Sequence, residues 1–206
     1  FYDRSWGFCL PKTLYDQLPR DQQYQAVINA EFVQEPGFRI GVGVLSPLPA
    51  GEGPGVRWDE IIIAAHICHP MQANDDAAGV VTAVGLAQRL AARPLPQGSM
   101  AVRFLFCPET VGTIAYLAHH EDLIPRLKGG IFLEMTGNRS PLAMHHSRQG
   151  NHLLDRIAYS VLRKTSEIRN TEYAIRDFAA HPANDERVIN GPGVNVPCLS
   201  LNRWPY

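Results

Sequence analysis

Five side chains that can bind metal ions lie close together in the stretch HICHPMQANDDAAG, residues 66–79. The stretch contains two histidines, one cysteine and two adjacent aspartates, and it follows directly after the apolar run IIIAA. Imidazole and carboxylate ligands together suit zinc, and the carboxylate oxygens also admit manganese or magnesium. The stretch therefore predicts part of a metal site at the end of a buried strand.

Further carboxylates follow other apolar runs of the chain. Glu109 comes after AVRFLFC, and Glu134 lies within the run GGIFLEM. Asp185 and Glu186 belong to NDERVI, upstream of the final apolar run PCLSLN. Burying a carboxylate in an apolar strand is costly unless it has a partner, so Glu134 in particular is predicted to contact a cation.

Two other interpretations of the first stretch remain open at this point. Asp75 or Asp76 could cap the helix that is predicted to follow. Cys68 could act as a nucleophile that His66 or His69 activates. Neighbouring residues of an extended segment point to opposite faces, however, and this argues against a working pair of adjacent side chains.

Strands and helices alternate over the larger part of the chain. Apolar runs bounded by turn residues predict the strands, and apolar residues at helical spacing predict the helices between them. The alternation predicts an α/β fold, a three-layer αβα sandwich with a mostly parallel sheet, whose ligands bind at the carboxyl ends of the strands. The predicted strands are 60–67, 101–107, 129–135 and 197–202, and the predicted helices are 80–90, 112–124 and 154–162.

The beginning of the chain has a different pattern. Residues 24–45 contain short β-type runs around Pro36-Gly37, which predict a hairpin, and residues 46–58 are rich in proline and glycine, which predicts a loop. We therefore divide the chain into a β-rich accessory segment, residues 1–58, and an α/β domain, residues 59–206. The start FYDRSWGF, which lacks an initiator methionine, and the end NRWPY predict a chain that is truncated at both ends.

The composition argues against several classes of partner. With 206 residues and a net charge of −1, the chain gives no reason to expect binding to nucleic acid or to an anionic membrane. No apolar run approaches the ~20 residues that a membrane-spanning helix needs. The four cysteines are scattered and form no C-x-x-C pair, which predicts reduced thiols in a cytoplasmic protein.

Several motifs, taken in order, resemble the zinc aminopeptidase family, which includes bacterial leucyl aminopeptidases, glutamate carboxypeptidase and glutaminyl cyclase. The motifs are His66, then ANDDAAG, ETVG after a strand, and LEMTG. The chain is still more similar to the bacterial aminopeptidase-like domain proteins, some of which are linked to polysaccharide biosynthesis. That similarity rests on SWGFCL, HICHP, PETVGT, SRQGN and NDERV. It implies an aminopeptidase-like α/β domain over nearly the whole chain.

The resemblance implies a ligand set and a mechanism. His66 and Glu134 would bind one metal, Asp75 would bind it and bridge toward a second, and water would take the open position. Glu109 matches the general base of the family, a carboxylate that removes a proton from water held by the metal. The second glutamate of the family, which binds the other metal, is replaced here by Thr110.

Further departures concern the remaining ligands and the metal count. The aspartate that orients the first histidine in the family is replaced by Cys68. The final ligand histidine would fall at Glu186 in one version of the motif and beyond Tyr206 in another. The resemblance therefore implies one zinc ion, with a second weakly bound or absent, and His69 and Glu186 are the alternative ligands.

The predicted function is zinc-dependent hydrolysis of a peptide or other amide bond in a small molecule. Arg148 and Arg187 are candidates to bind a substrate carboxylate or phosphate, and Asp185 is a candidate to orient a ligand or substrate. The alternatives are a one-zinc acyl transferase or cyclase on the same fold, and a non-catalytic domain that binds a ligand. The sequence specifies neither the substrate nor the oligomeric state.

Overall fold

The computed structural model describes residues 10–27, 29, 37–47, 58–69, 72–93, 95–180 and 184–203. The chain divides into two compact units, Phe1–Pro36 and Gly37–Tyr206. The described part of the first unit contains one short helix, α1 (Lys12–Gln17). All of the strands that the described residues contain lie in the second unit.

A seven-stranded sheet forms the centre of the second unit, with the strand order β1-β3-β2-β4-β7-β5-β6. The neighbours β3–β2, β2–β4, β4–β7 and β5–β6 are parallel, while β1–β3 and β7–β5 are antiparallel. The predicted mostly parallel sheet is therefore confirmed. The strands are β1 (Gly41–Leu45), β2 (Glu60–His66), β3 (Ala101–Cys107), β4 (Leu127–Glu134), β5 (Leu142–His145), β6 (Tyr173–Arg176) and β7 (Cys198–Asn202).

Helices connect these strands. The predicted helix over 112–124 is an α-helix only as far as His119, and a 3₁₀ turn with Pro125 inside it, Glu121–Arg126, follows. Proline has no backbone N–H to continue an α-helical ladder, which accounts for the change. The α-helices of this unit are α2 (Ala78–Ala91), α3 (Val111–His119), α4 (Leu153–Arg169) and α5 (Asp185–Ile189), and a further 3₁₀ turn covers Phe178–Ala180.

Both faces of the sheet are covered by helices. Successive residues of a strand point to opposite faces, and the buried side chains of the central strands divide accordingly into two apolar clusters. One cluster joins Ile62, Leu105 and Phe132 to Leu117 of α3 and Ile189 of α5. The other joins Ile63, Phe104 and Leu133 to Ala83 of α2. Apolar packing on both faces explains why these strands are nearly continuous apolar runs.

The segment predicted as a hairpin is only partly described. Its second half contains β1, which pairs antiparallel with β3, so β1 is an edge strand of the central sheet. Residues 30–36, which include the predicted turn residue Pro36, lie outside the described residues. The boundary between 58 and 59 stays a prediction, although β1 falls on its N-terminal side.

Two further features bear on the sequence predictions. Among the described residues, Cys68, Cys107 and Cys198 are free thiols, in agreement with the prediction of reduced cysteines. In the described part of the chain, no helix has the length and apolar content needed to cross a membrane.

Candidate metal centre

His66 and Glu134 end two neighbouring strands, β2 and β4. The parallel register pairs Ala64 with Phe132, and continuing it by two residues places His66 beside Glu134. Both side chains are buried, with exposures of 1% and 4%. The carboxyl ends of parallel strands form the crevice where ligands bind in α/β folds, so this pair lies where a site is expected.

Asp75 completes a group of three potential metal ligands. One ligand atom each from His66, Asp75 and Glu134 lies within 4.8 Å of the other two. Asp75 precedes α2 and has an extended backbone conformation (φ −115°, ψ 92°) that interrupts helical geometry. Loop residues thus bring the third carboxylate to the two strand ends.

The geometry of this group fits a metal better than a hydrogen bond. His66 Nε2 lies 3.2 Å from Asp75 Oδ1. That oxygen is buried, and among the described residues it has no partner with hydrogen-bonding geometry. Tetrahedral zinc with Zn–N and Zn–O bonds of about 2.0–2.1 Å separates neighbouring ligand atoms by about 3.3 Å. The observed separation matches two ligands that converge on one ion.

The electrostatics of the crevice also fit a cation. Burial raises the pKa of Glu134 to about 8, against an opposing hydrogen bond from Asn184, and raises the pKa of Glu186 to about 7. Burial lowers the pKa of His66, which Asp75 partly offsets, so the neutral imidazole needed for ligation is favoured. In the described residues, no lysine or arginine forms an ion pair with Asp75, Asp185 or Glu186.

Asp76 holds the surrounding backbone in place. Its buried carboxylate accepts hydrogen bonds from the backbone N–H groups of His66 (3.3 Å), Gly79 (3.0 Å) and Met135 (3.0 Å). These three donors belong to the end of β2, the start of α2 and the residue after β4. Burial raises the pKa of Asp76 to about 7, and these hydrogen bonds oppose the shift. The sequence predicts only a residue at the start of a helix here, because the other two donors are distant along the chain.

Cys68 lies on the other side of the His66 ring. Its Sγ is 3.5 Å from His66 Nδ1, accepts the backbone N–H of Glu109 at 3.3 Å and lies 3.8 Å from His69 Nδ1. Because Nε2 of His66 faces Asp75, its Nδ1 is left to contact the thiol. Hydrogen bonding at one ring nitrogen fixes the tautomer that leaves the other free for a metal.

The loop after β3 places Glu109 beside these groups. A carboxylate oxygen of Glu109 lies within 4.8 Å of ligand atoms of His66, Cys68 and His69. The next residue, Thr110, has a φ of +60°, a conformation that is rare for a β-branched residue. Such strained backbone occurs frequently where a site imposes a special geometry.

Asp185 anchors this loop. Its Oδ1 accepts the backbone N–H of Thr110 at 3.0 Å and the hydroxyl hydrogen of Thr113. The carboxylate is only 1% exposed, and burial raises its pKa to about 6. Its observed contacts are therefore with the loop that carries Glu109, and a role in orienting substrate stays a prediction.

The remaining predicted residues differ in their relation to this centre. His69 Nδ1 is 3.3 Å from Asp75 Oδ1, so one of the alternative ligands is within reach of the group. Glu186 accepts the backbone N–H of Asn184 at 3.0 Å and belongs to neither of the potential metal-ligand groups among the described residues. Arg187 is exposed at α5.

Arg148 is tied into a neighbouring loop. Its Nε donates to the carbonyl oxygen of Asn190 at 2.9 Å, and its terminal guanidinium nitrogen donates to Asn195 Oδ1. Asn190 in turn donates to the backbone carbonyls of Glu186 and Cys198, both at 2.7 Å. The sequence does not predict these hydrogen bonds around Asn190, because the residues that take part in them come from separate segments.

Comparisons with known proteins agree with this architecture. The model of the family DUF4910, described as a domain of unknown function, matches residues 48–206. A protein of Clostridium acetobutylicum with the provisional name polysaccharide biosynthesis protein with aminopeptidase-like domain is 29% identical over 206 residues. The match covers 100% of this chain and 43% of that protein, so the chain spans less than half of its relative.

Solved structures share the fold. A crystal structure from Clostridium acetobutylicum, provisionally described as a peptidase, has a TM-score of 0.69 and 28% identity, and the match covers 81% of this chain and 36% of that one. The zinc aminopeptidase from Bacillus subtilis has a TM-score of 0.58 and 16% identity, covering 79% and 39%. The glutaminyl cyclase from Porphyromonas gingivalis has a TM-score of 0.57 and 13% identity, covering 79% and 60%. The fold is thus the one found in zinc aminopeptidases and glutaminyl cyclases.

Proposed function

The chain belongs to the family DUF4910, domains of unknown function, and we propose that it is a zinc-dependent hydrolase of the aminopeptidase type. Its substrate would be a peptide or another small molecule with an amide bond. The observation that carries the proposal is the convergence of His66, Asp75 and Glu134, with ligand atoms within 4.8 Å of one another, beside the Glu109 carboxylate.

The first group would hold one zinc ion. His66 Nε2 and the carboxylates of Asp75 and Glu134 are ligands of the type found in hydrolytic zinc sites, which bind zinc through three protein side chains. When bound, zinc supplies the Lewis acidity that polarises a carbonyl group and lowers the pKa of water. Thr110 stands where the resemblance places a glutamate ligand of a second metal, and it offers only a neutral hydroxyl. This supports one tightly held ion.

Glu109 would act as the general base. Its carboxylate accepts a proton from the water that attacks the carbonyl carbon and then delivers that proton to the leaving amine. The hydrogen bonds from Thr110 and Thr113 to Asp185 hold the loop that carries this carboxylate. The backbone N–H of Glu109 also donates to Cys68 Sγ, which ties the loop to the segment after His66.

Substrate contacts would come from the rim of the crevice. Arg187 is exposed and is proposed to bind a carboxylate or phosphate of the substrate. Arg148 already donates to Asn190 and Asn195, which supports a role in shaping the same rim with the guanidinium donors that remain.

The Glu109→Gln variant tests the hydrolase. Removing a general base slows turnover by about 10²–10⁴-fold, and the first, tightly held zinc ion is expected to stay bound, because Glu109 lies outside the first ligand group. Glu167→Gln is the matched control, since Glu167 is an exposed glutamate of α4. The measurements are zinc analysis and release of amine from a panel of aminoacyl amides and peptides. Full turnover in Glu109→Gln would exclude this mechanism.

A cyclase is the second candidate, because Thr110 stands where the resemblance places a glutamate ligand of a second metal, and because the fold is shared with glutaminyl cyclases. A cyclase would join the amine of an N-terminal glutamine to its side-chain carbonyl and release ammonia. Mass spectrometry of glutamine-initiated peptides separates the two reactions. Loss of ammonia without cleavage of the chain indicates the cyclase, and a shortened peptide indicates the hydrolase. A chain that binds zinc but converts neither substrate class fits a ligand-binding domain.

A further inference from the structure

A second group of metal-binding side chains lies beside the first. Ligand atoms of Cys68, His69 and Glu109 lie within 4.8 Å of one another and of a ring nitrogen of His66. The separation between Cys68 Sγ and His69 Nδ1 is 3.8 Å. In a tetrahedral zinc site with Zn–S and Zn–N bonds of about 2.3 and 2.0 Å, the sulfur and nitrogen lie about 3.5 Å apart. A small movement of the half-buried His69 side chain would bring the sulfur and the nitrogen to that spacing.

The two groups offer separate ligand atoms. The first group uses Nε2 of His66, the atom that faces Asp75. Cys68, His69 and Glu109 take no part in that group, so each keeps its ligand atom for another ion. Asp75 Oδ1 lies 3.3 Å from His69 Nδ1, which places the carboxylate between the two groups.

The second group is accessible and suited to a soft cation. The His69 side chain is 35% exposed, and Cys68 and Glu109 are half-buried, so an ion can enter from solvent. Thiolate and imidazole ligands select zinc and similar ions over magnesium or calcium. The hydrogen bond from the Glu109 backbone N–H to Cys68 Sγ holds the sulfur beside the segment that carries Glu109.

We propose that Cys68, His69 and Glu109 form a second, thiol-containing site for a divalent cation such as zinc, which fills after the first. Binding there displaces the Cys68 proton to solvent and forms a sulfur–metal bond. The regulatory consequence rests on the proposed function: an ion on Glu109 occupies the general base, so excess zinc inhibits hydrolysis.

Titration of the purified, metal-free chain with Co²⁺ tests the site directly. We expect two ions per chain, and the second should bring the near-ultraviolet absorption of a cobalt–thiolate bond. Cys68→Ser should keep the first ion, lose this absorption and bind the second ion at least about tenfold more weakly. Cys107→Ser is the control, because Cys107 is buried against Thr113 and belongs to neither group; it should retain two ions and the absorption. Melting curves of both variants check that they fold.

Three results would overturn the proposal: one cobalt per chain in the wild type, a second ion without thiolate absorption, or unchanged absorption in Cys68→Ser. None of these readouts depends on turnover, so failure of the hydrolase proposal leaves them unaffected. If hydrolysis is observed, His69→Ala should require at least about tenfold more zinc for inhibition than the wild type. Equal inhibition of both would exclude the regulatory role even if the second ion binds.

Discussion

Strand β2 has a buried ionisable residue at each end, and the two ends satisfy their charges differently. At the amino end, Glu60 accepts hydrogen bonds from Arg103 (2.6 and 3.0 Å) and from Arg126 (2.7 Å). At the carboxyl end, His66 adjoins acidic side chains, and the described residues provide no arginine or lysine paired with Asp75 or Glu186. The negative charge of Glu60 is therefore balanced by arginines of the chain itself.

The difference distinguishes a structural ion cluster from a candidate site. Burying an ion pair is tolerated when hydrogen bonds accompany the charges, and both carboxylate oxygens of Glu60 accept hydrogen bonds from guanidinium groups. Acidic groups that lie together without a basic partner raise one another's pKa values. Their repulsion when ionised also lowers the free energy of unfolding. The position of such a group at the strand ends where ligands bind supports the proposal that a cation is taken up from solution.

The strongest test of this comparison is Glu60→Gln. The variant leaves the guanidinium groups of Arg103 and Arg126 without a buried counter-charge, and we expect a loss of about 3 kcal/mol in the free energy of unfolding. The loss should be the same with and without zinc, because the cluster is complete within the chain. Urea unfolding measures it. The control is Asp59→Asn, which breaks an exposed pair with Lys128 at the same end and should cost less than about 1 kcal/mol. A loss that zinc restores would contradict the comparison.

The second test uses pH on the metal-free chain. The folded pKa of Glu134, about 8, lies above its ordinary value of 4.5, so the folded state binds more protons between these values. The free energy of unfolding should therefore fall as pH rises from about 5 to about 8. Glu134→Gln should flatten the fall by an amount on the order of 2–3 kcal/mol, which urea unfolding across that pH range measures.

Zinc provides the control for the pH dependence. In the wild type, saturation with zinc should abolish the fall, because ligation requires the ionised carboxylate and metal binding strengthens with pH. In Glu134→Gln, zinc should have little effect on how the free energy of unfolding changes with pH. A wild-type chain whose stability rises from pH 5 to 8 without metal would show that Glu134 is neutralised within the protein.

The sheet could be predicted from the sequence because its central strands are fully buried. Runs such as 60–66 and 101–107 are apolar along nearly their whole length, which follows from helices packing on both faces. The sequence does not predict strands β5 and β6, because each has only four residues and its three consecutive apolar residues form too short a run to indicate a strand. Short edge-side strands depend on their neighbours more than on their own sequence.

The candidate site was predicted to the extent that its residues follow strands. His66, Asp75 and Glu134 were expected together, and the structure brings their ligand atoms within 4.8 Å. The backbone supports were not predicted, since Asp76 joins three segments through N–H groups that every residue possesses. Hydrogen bonds to backbone N–H groups cannot be predicted from residue type or spacing.

The support given by Asp76 leads to the most local prediction. A Cβ on Gly79 would lie 2.4 Å from both carboxylate oxygens of Asp76, so Gly79→Ala must displace the group that holds the His66 backbone. We expect a loss of about 1–2 kcal/mol in stability from overpacking and zinc binding about tenfold weaker, although no ligand is removed. Unfolding and competition with a chromophoric chelator measure the two effects.

Gly85→Ala is the matched control on the same helix. No atom lies within 4 Å of the position of its Cβ, so alanine should stabilise α2 by about 0.5–1 kcal/mol and leave zinc affinity unchanged. If Gly79→Ala loses stability but retains full affinity, Asp76 supports only the fold. If it loses affinity as well, the proposed ligand geometry at the His66 end of β2 depends on the backbone support that Asp76 provides, whereas the charge of Glu60 is balanced by arginine side chains.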